Sequence, residues 1–374
     1  MMARNHLSER ESVGPEARAV AEHLLAEFVV AGAEIIETDI LQPAETLLDL
    51  YGEDIRARAY VTADPLHGEM MLRPDFTVPV VQAHMNDGAE PRRYAYMGEV
   101  FRRQDHLDGR AREYLQVGYE VFDRQAPEAD AEIFALFSRL LADLDLRPVT
   151  GDIGILIAAI NGLNTILPRK KALLRHIWRP KRFRRLLDRF SGRTSLPEAR
   201  VDLLKRLKSD RSEALIAAAG PMIGLRSADE VLTRIEALLM DAATPPIGAD
   251  EARILNELLA FQAPAGAALT SLQDMAAVLP AIMPAIDTFA ARLRALSGRG
   301  IDIDNLPFEA SHGRTSMEYY DGFVFSLHAG GGGPPVASGG RYDALTAVLG
   351  RGRSIPAVGG VIRPGLVARQ RGRV

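Results

Sequence analysis

Gln116, Gly118 and Glu120 stand in a row in LQVGYEVF, and their types and spacing are the first sign of chemistry in the chain. Strand side chains alternate, so Leu115, Val117, Tyr119 and Val121 share one surface while Gln116, Gly118 and Glu120 share the other. The first surface reads as core. The second reads as a floor with a polar group at each end and room for a small ligand above the glycine. By the same alternation Asp75 and Thr77 of LRPDFT fall on one side. GEVFR contributes Arg102, MEYYDGFVF contributes Tyr319 and Tyr320, and SGGRYDAL (338–345) offers another polar strand end. Such a set suits an amino acid. Carboxylate and amide oxygens accept from an ammonium group, a guanidinium meets a carboxylate or phosphate, and tyrosines wall an aromatic side chain. A carboxylate such as Glu120 can accept a hydrogen bond from a ring N–H. Any one of these residues alone fits an ordinary wet sheet face; the joint pattern points to a site.

The elements that must position these groups follow from periodicity. Residues 13–32 have apolar positions three and four apart, with Pro near the start and Gly at the end, which predicts an amphipathic helix. AEIIETDILQPAETLLDLYGED predicts a strand, a break at Pro43 and a helix. From Ala59 to Phe122 short runs broken by Asp-Pro, His-Gly, Arg-Pro and Asp-Gly predict strands and turns. They include a long antiparallel hairpin, Tyr94 to Arg103 and Glu113 to Phe122. Glu128 to Leu144 predicts a helix and Pro148 to Ile157 a strand. From Asn164 to Leu296 nearly every apolar run has helical spacing, and strand signals resume at Ile301 and run to Val361. GGGGPP (330–335) lacks the Gly-Lys-Ser/Thr of a phosphate loop and predicts a hairpin tip. The expected organisation is α+β: a sheet built from residues 1–163 and 297–374, with a helical insertion over 164–296.

Composition bounds the function classes. The chain has 374 residues, 47% hydrophobic and 25% charged, with a formal charge of -4. It can bury a large core and carries no global basic field. The absence of cysteine excludes disulfides, thiolate metal sites and a Cys nucleophile. No metal or cofactor is expected. No uninterrupted apolar stretch in the first thirty residues suggests a signal peptide or a membrane span, so the cytoplasm is the expected location. RKKALLRHIWRPKRFRRLLDRF (169–190) is densely basic. Clustered guanidinium groups bind phosphate well, although a solvated helix face beside acidic neighbours is the expectation here.

LRPDFT, GEVFRRQ, YLQVGYEVF, MEYYDGFVF, SGGRYDAL and IPAVGG occur in the order found in histidyl-tRNA synthetases, which the chain resembles outside the helical insertion. The resemblance implies a class II aminoacyl-tRNA synthetase-like antiparallel sheet flanked by helices. It further implies that Asp75, Thr77 and Gln116 hold a histidine α-ammonium, Glu120 and Tyr319 the imidazole, Tyr320 the wall, and Arg102 the carboxylate or phosphate side. Two departures stand out. The synthetase arginine before the paired tyrosines is replaced by Thr315, and a second ATP-binding arginine, after Pro-Ala-Val-Gly, is replaced by Leu366, with Arg363 and Pro364 on its approach. Removing one preorganised group from such a site commonly costs ~10²–10³ in rate, so adenylation is not expected. The chain also stops at Val374, so no anticodon-binding domain is expected.

This combination resembles the regulatory subunits of ATP phosphoribosyltransferase, paralogues of the synthetases. That family implies a non-catalytic chain, a homodimer within a hetero-octamer. It activates the short-form catalytic subunit and carries feedback inhibition by L-histidine, with tRNA binding not expected. The alternative is a truncated enzyme that adenylates histidine.

Overall fold

The computed structural model describes residues 13–45, 59–104, 111–221, 223–314, 319–330 and 332–372. The chain divides into two compact units. The first comprises Met1–Ile155, Phe261–Leu272 and Pro284–Val374; the second comprises Leu156–Ala260 and Gln273–Met283. Against the insertion expected over 164–296, residues 261–272 and 284–296 cluster with the sheet-bearing unit.

The first unit is built on a nine-stranded sheet in the order β1-β5-β6-β12-β11-β10-β7-β9-β8. The strands are β1 (Glu34–Ile35), β5 (Arg92–Phe101), β6 (Glu113–Phe122), β7 (Leu146–Asp152), β8 (Gln262–Pro264), β9 (Pro307–Glu309), β10 (Phe323–Ala329), β11 (Ala337–Arg341) and β12 (Ala357–Ile362). From β5 to β7 every neighbouring pair is antiparallel; β1 pairs parallel with β5 and β9 with β7. A small antiparallel sheet joins β2 (Leu41–Pro43), β4 (Gly68–Leu72) and β3 (Val61–Asp64).

One face of the large sheet is closed by α1 (Pro15–Val30) and α3 (Ala126–Leu140). Pro15 opens α1 without losing a needed N–H. The α1 residues Ala17, Ala21, Leu24 and Phe28 are three and four apart and buried. Phe28 meets Tyr119 of β6 with ring centres 5.2 Å apart and stacks on Phe137 of α3 at 5.5 Å. Phe134 and Phe137 meet Phe325 of β10 edge-on at 5.5 and 5.7 Å. Each such ring contributes roughly 1.5–3 kcal/mol by leaving water. This fixes which face of β6 is core, and turns Gln116 and Glu120 to the opposite face.

Two expectations need correction. The segment from Ala59 to Phe122 is not all strand and turn: Thr77–Asp87 is a helix, α2, ended by Gly88 in the left-handed conformation (φ 59°). Its TVPVV opening carries β-branched residues that favour strands, but the segment is helical with Val78, Val80 and Val81 buried, so tertiary packing overrides the local preference. Asp75 and Thr77 therefore do not alternate along a strand; Thr77 begins a helix. The strand expected over Pro148–Ile157 ends at Asp152, where α4 (Ile153–Gly162) begins. The helix expected after Pro43 falls mainly outside the described residues, as does Thr315.

The second unit is helical: most of α4, then α5 (Leu167–Arg175), α6 (Pro180–Phe190), α7 (Glu198–Ser209), α8 (Ser212–Ala218), α9 (Ala228–Ala243) and α10 (Ala249–Ala260). Arg169 of α5 is its pin: buried, it donates to Asp241 Oδ1 at 2.6 Å and to the carbonyls of Asp241, Thr244 and Pro245. α11 (Ala265–Val278) and α12 (Met283–Gly298) follow.

Behind the site runs a buried ion network. Arg292 of α12 donates at 2.8 Å to Asp130 of α3 and at 2.8 Å to Asp152 of β7. Arg341 of β11 donates to the other oxygen of Asp130 at 2.7 Å and to Asp343 at 2.9 Å. Five elements, α3, α12, β7, β11 and the helix that Asp343 begins, meet at two guanidinium groups whose fork geometry suits carboxylates.

Candidate functional site

The site's centre is Glu120, buried on β6 with 1% exposure. Its Oε1 accepts from Thr77 Oγ1 at 3.1 Å and from the Tyr96 hydroxyl at 2.9 Å; Oε2 accepts from the Tyr342 hydroxyl at 2.5 Å. Burial raises its pKa to about 7, against the three hydroxyls, which stabilise the anion and pull it down; the nearby negative charge of Asp75 adds to the rise. A carboxylate offers about four lone-pair sites. Three are used, leaving one on Oε2 for a donor.

Strand register assembles this group. Tyr96 of β5 stands opposite Gly118, and Gly359 of β12 stands opposite Glu120. A Cβ at Gly118 would collide with the Tyr96 ring, and one at Gly359 with the Glu120 carboxylate itself. The expected ligand space above Gly118 is therefore taken: Tyr96 lies across it and brings its hydroxyl to Glu120. The glycine needed for close approach to the carboxylate is Gly359.

Tyr319 places its hydroxyl 3.4 Å from Thr77 Oγ1, and its ring meets Tyr320 at 5.0 Å and Tyr342 at 6.0 Å, both edge-on. Tyr320 is buried over Gly340 of β11, whose Cβ would touch its ring. Burial and the charges of Glu120 and Asp75 push the Tyr320 hydroxyl well above its usual range, while Arg102 pulls it down. Arg102 donates through Nε to Pro74 O at 3.1 Å, which ties it to the loop carrying the buried Asp75. Gln116 lies four residues from Glu120 on the same face, opposite Gly98. Its Oε1 is buried with no hydrogen-bond partner among the described residues.

Asp75, Thr77, Glu120, Tyr319, Tyr320 and Arg102 are thus linked by hydrogen bonds or mutual charge, and Gln116 stands apart at the far end of the floor. Sequence reasoning missed Tyr96 and Tyr342. Pairing the predicted hairpin residue by residue puts Tyr96 opposite Gly118, and Tyr342 sits inside the SGGRYDAL stretch already singled out. Asp321 was missed as well. It accepts from the backbone N–H groups of Asp343 at 3.0 Å and Ala344 at 2.5 Å, tying the tyrosine pair to α13 (Asp343–Leu349). Burial and the neighbouring Asp343 raise its pKa to about 7.

At the motif that carries an ATP-binding arginine in synthetases, Leu366 lies on α14 (Pro364–Arg371). Arg363 donates to Pro335 O at 2.8 Å and lies over the Tyr114 ring. Among the described residues no cluster of three or more His, Asp or Glu is placed to hold a metal. No described helix is long and apolar enough to cross a membrane.

A mainly antiparallel sheet with helices on one face and a buried acid ringed by tyrosines on the other has the architecture of a class II synthetase-like fold. The family profile described as histidyl-tRNA synthetase matches residues 11–244 and 240–364. ATP phosphoribosyltransferase regulatory subunits of Rhizobium johnstonii and Mesorhizobium japonicum are 34% and 33% identical, each over 91% of this chain and 94% of the relative. The chain belongs to the histidyl-tRNA synthetase family, in the branch of these regulatory subunits. Among solved structures, an ATP phosphoribosyltransferase regulatory subunit/histidyl-tRNA synthetase from Bacillus halodurans has a TM-score of 0.66 at 21% identity, covering 95% of this chain and 79% of the other. A histidyl-tRNA synthetase from Nostoc has a TM-score of 0.61 at 16% identity, covering 96% of this chain and 72% of the other. Both share its fold.

Proposed function

We propose that this chain is a non-catalytic regulatory subunit in histidine biosynthesis. It activates the short-form catalytic subunit of ATP phosphoribosyltransferase, which joins ATP and phosphoribosyl pyrophosphate, and it conveys inhibition by L-histidine. The observation that carries regulation over adenylation is Leu366 in place of a phosphate-binding arginine, with the neighbouring Arg363 engaged by Pro335 O. The relatives named as regulatory subunits, similar over nine-tenths of the chain, support the same reading.

Histidine is the effector this pocket suits. Its imidazole N–H meets the remaining lone pair of Glu120 Oε2, Tyr319 stands at the ring, and Tyr320 forms the wall. Asp75, Thr77 and the unpaired Gln116 amide oxygen receive the α-ammonium, and Arg102 faces the carboxylate. Histidine inhibits only to the extent that it binds one arrangement of subunit and partner more tightly than the other, and a coupling of ~1–3 kcal/mol is usual. The assembly is a homodimer within a hetero-octamer, in the cytoplasm, with no tRNA needed for regulation.

The test is the initial rate of the same organism's catalytic subunit with and without this chain, followed across a histidine titration. A rise reversed by histidine is expected. No change in either condition would sink the reading, and histidine-dependent pyrophosphate exchange into ATP by this chain alone would put an adenylating enzyme in its place.

A further inference from the structure

The segment 169–190 carries ten Arg and Lys against one Asp, a charge of +9 in a chain of -4, so the remaining residues sum to -13. The structure divides these cations by task. Arg169 is buried and bound to Asp241, Arg189 also faces Asp241 at 3.8 Å, and Lys170 donates to Asn161 O. Lys171, Arg175, Lys181, Arg182, Arg184 and Arg185 are exposed, and none pairs with a carboxylate among the described residues. Asp188 neutralises none of them. The expectation of acidic neighbours therefore holds for Arg169 and Arg189 and fails for the outer six.

α6 explains the outward face. Phe183, Leu187 and Phe190 are its buried stripe, so Lys181, Arg182, Arg184 and Arg185 are left on the remaining arc. Lys171 and Arg175, and Lys181 and Arg185, are each four residues apart, about 6 Å along a helix axis. At the turn between the helices, Arg175, Arg179 and Arg182 crowd His176 closely enough that their charges oppose its protonation, in addition to burial. Like charges gathered in this way repel one another, and an anion relieves the repulsion.

We propose that this face of α5 and α6 binds the phosphate backbone of a nucleic acid without reading its sequence. The six exposed cations are spread over two helices, more charge than one compact anion would neutralise, which suits a polyanionic strand. The face also lacks the charge-depleted, apolar centre of a protein interface, and arginine forks match phosphate oxygens. The site is separate from the Glu120 pocket and independent of the regulatory reading.

The test uses the full chain and a fluorescein-labelled 20-base-pair RNA duplex of arbitrary sequence, with its DNA counterpart, followed by anisotropy. Both duplexes are expected to bind. With four or five phosphates engaged, affinity should fall roughly a hundredfold to a thousandfold between 50 and 200 mM salt. A Lys181→Gln, Arg182→Gln, Arg184→Gln, Arg185→Gln variant, with its thermal midpoint and histidine affinity checked as controls of fold, should bind at least tenfold more weakly. Absence of binding at 50 mM salt, or a loss under threefold in the variant, overturns the proposal. So does a variant that loses only its assembly with the catalytic subunit, which would make the face a protein dock.

Discussion

Glu120 holds its proton to about pH 7 in the folded chain, against 4.5 for an ordinary glutamate. The sign follows from where the proton sits. The folded state binds it more tightly, so the resulting stabilisation is fully present below pH 4.5 and is lost as pH rises through 7. The shift corresponds to roughly 3 kcal/mol. Glu120→Gln should therefore flatten the stability profile: denaturant unfolding at pH 5 and pH 8 should differ by that much less in the variant than in the wild type. An unchanged difference would place the titrating group elsewhere, with Asp321 the next to test because it is raised to a similar value. The face on which Glu120 stands was legible because alternation along β6 is a local property. Its three hydroxyl partners were not, because Thr77, Tyr96 and Tyr342 come from three different elements and only tertiary folding brings them to one carboxylate.

Gly118→Ala is a prediction about the β5–β6 hairpin, since the new methyl meets the Tyr96 ring. Overpacking of this kind costs typically ~1–3 kcal/mol. Chemical denaturation should show that loss, and a Tyr96→Ala background should remove most of it; an additive double mutant would mean the two positions do not touch. The hairpin itself was readable to within two residues, because long alternating strands leave a strong pattern. α2 was not, because its β-branched opening favours extended backbone locally and tertiary packing overrides that preference. The ion network gives a second prediction. Arg292→Met strands Asp152 in the core and leaves Asp130 to Arg341 alone, and breaking a buried pair from one side costs ~3–5 kcal/mol. A loss below 1 kcal/mol by urea unfolding would show that the two carboxylates find protons or other partners. No sequence pattern announces this network, whose bonded partners lie up to 211 residues apart.

For the molecule as a whole, the central expectation is that activation and inhibition come apart. Glu120→Ala should raise the histidine concentration needed for half-inhibition by tenfold or more, since a charge-assisted hydrogen bond contributes ~1.5–3 kcal/mol. The rate enhancement of the catalytic subunit should remain. If inhibition kept full strength in assays of the reconstituted pair, the imidazole would not sit at Glu120. The helical stretch was legible from the change in hydrophobic period at about residues 164 and 301, but β8 (Gln262–Pro264), a short strand inside it that joins the sheet, was not. The division into units was less legible, because α11 and α12 have helical periodicity like their neighbours while much of their length packs with the sheet.

Gly359 and Glu120 face each other so closely that the space of one is the space of the other. They form a single unit of inheritance. A side chain gained at 359 would displace the Glu120 carboxylate from its three hydroxyl partners, and once 359 is filled, restoring the acid alone would not restore that geometry. Loss of this pocket during divergence would therefore act as a ratchet, needing two coordinated substitutions to reverse where one sufficed to begin it.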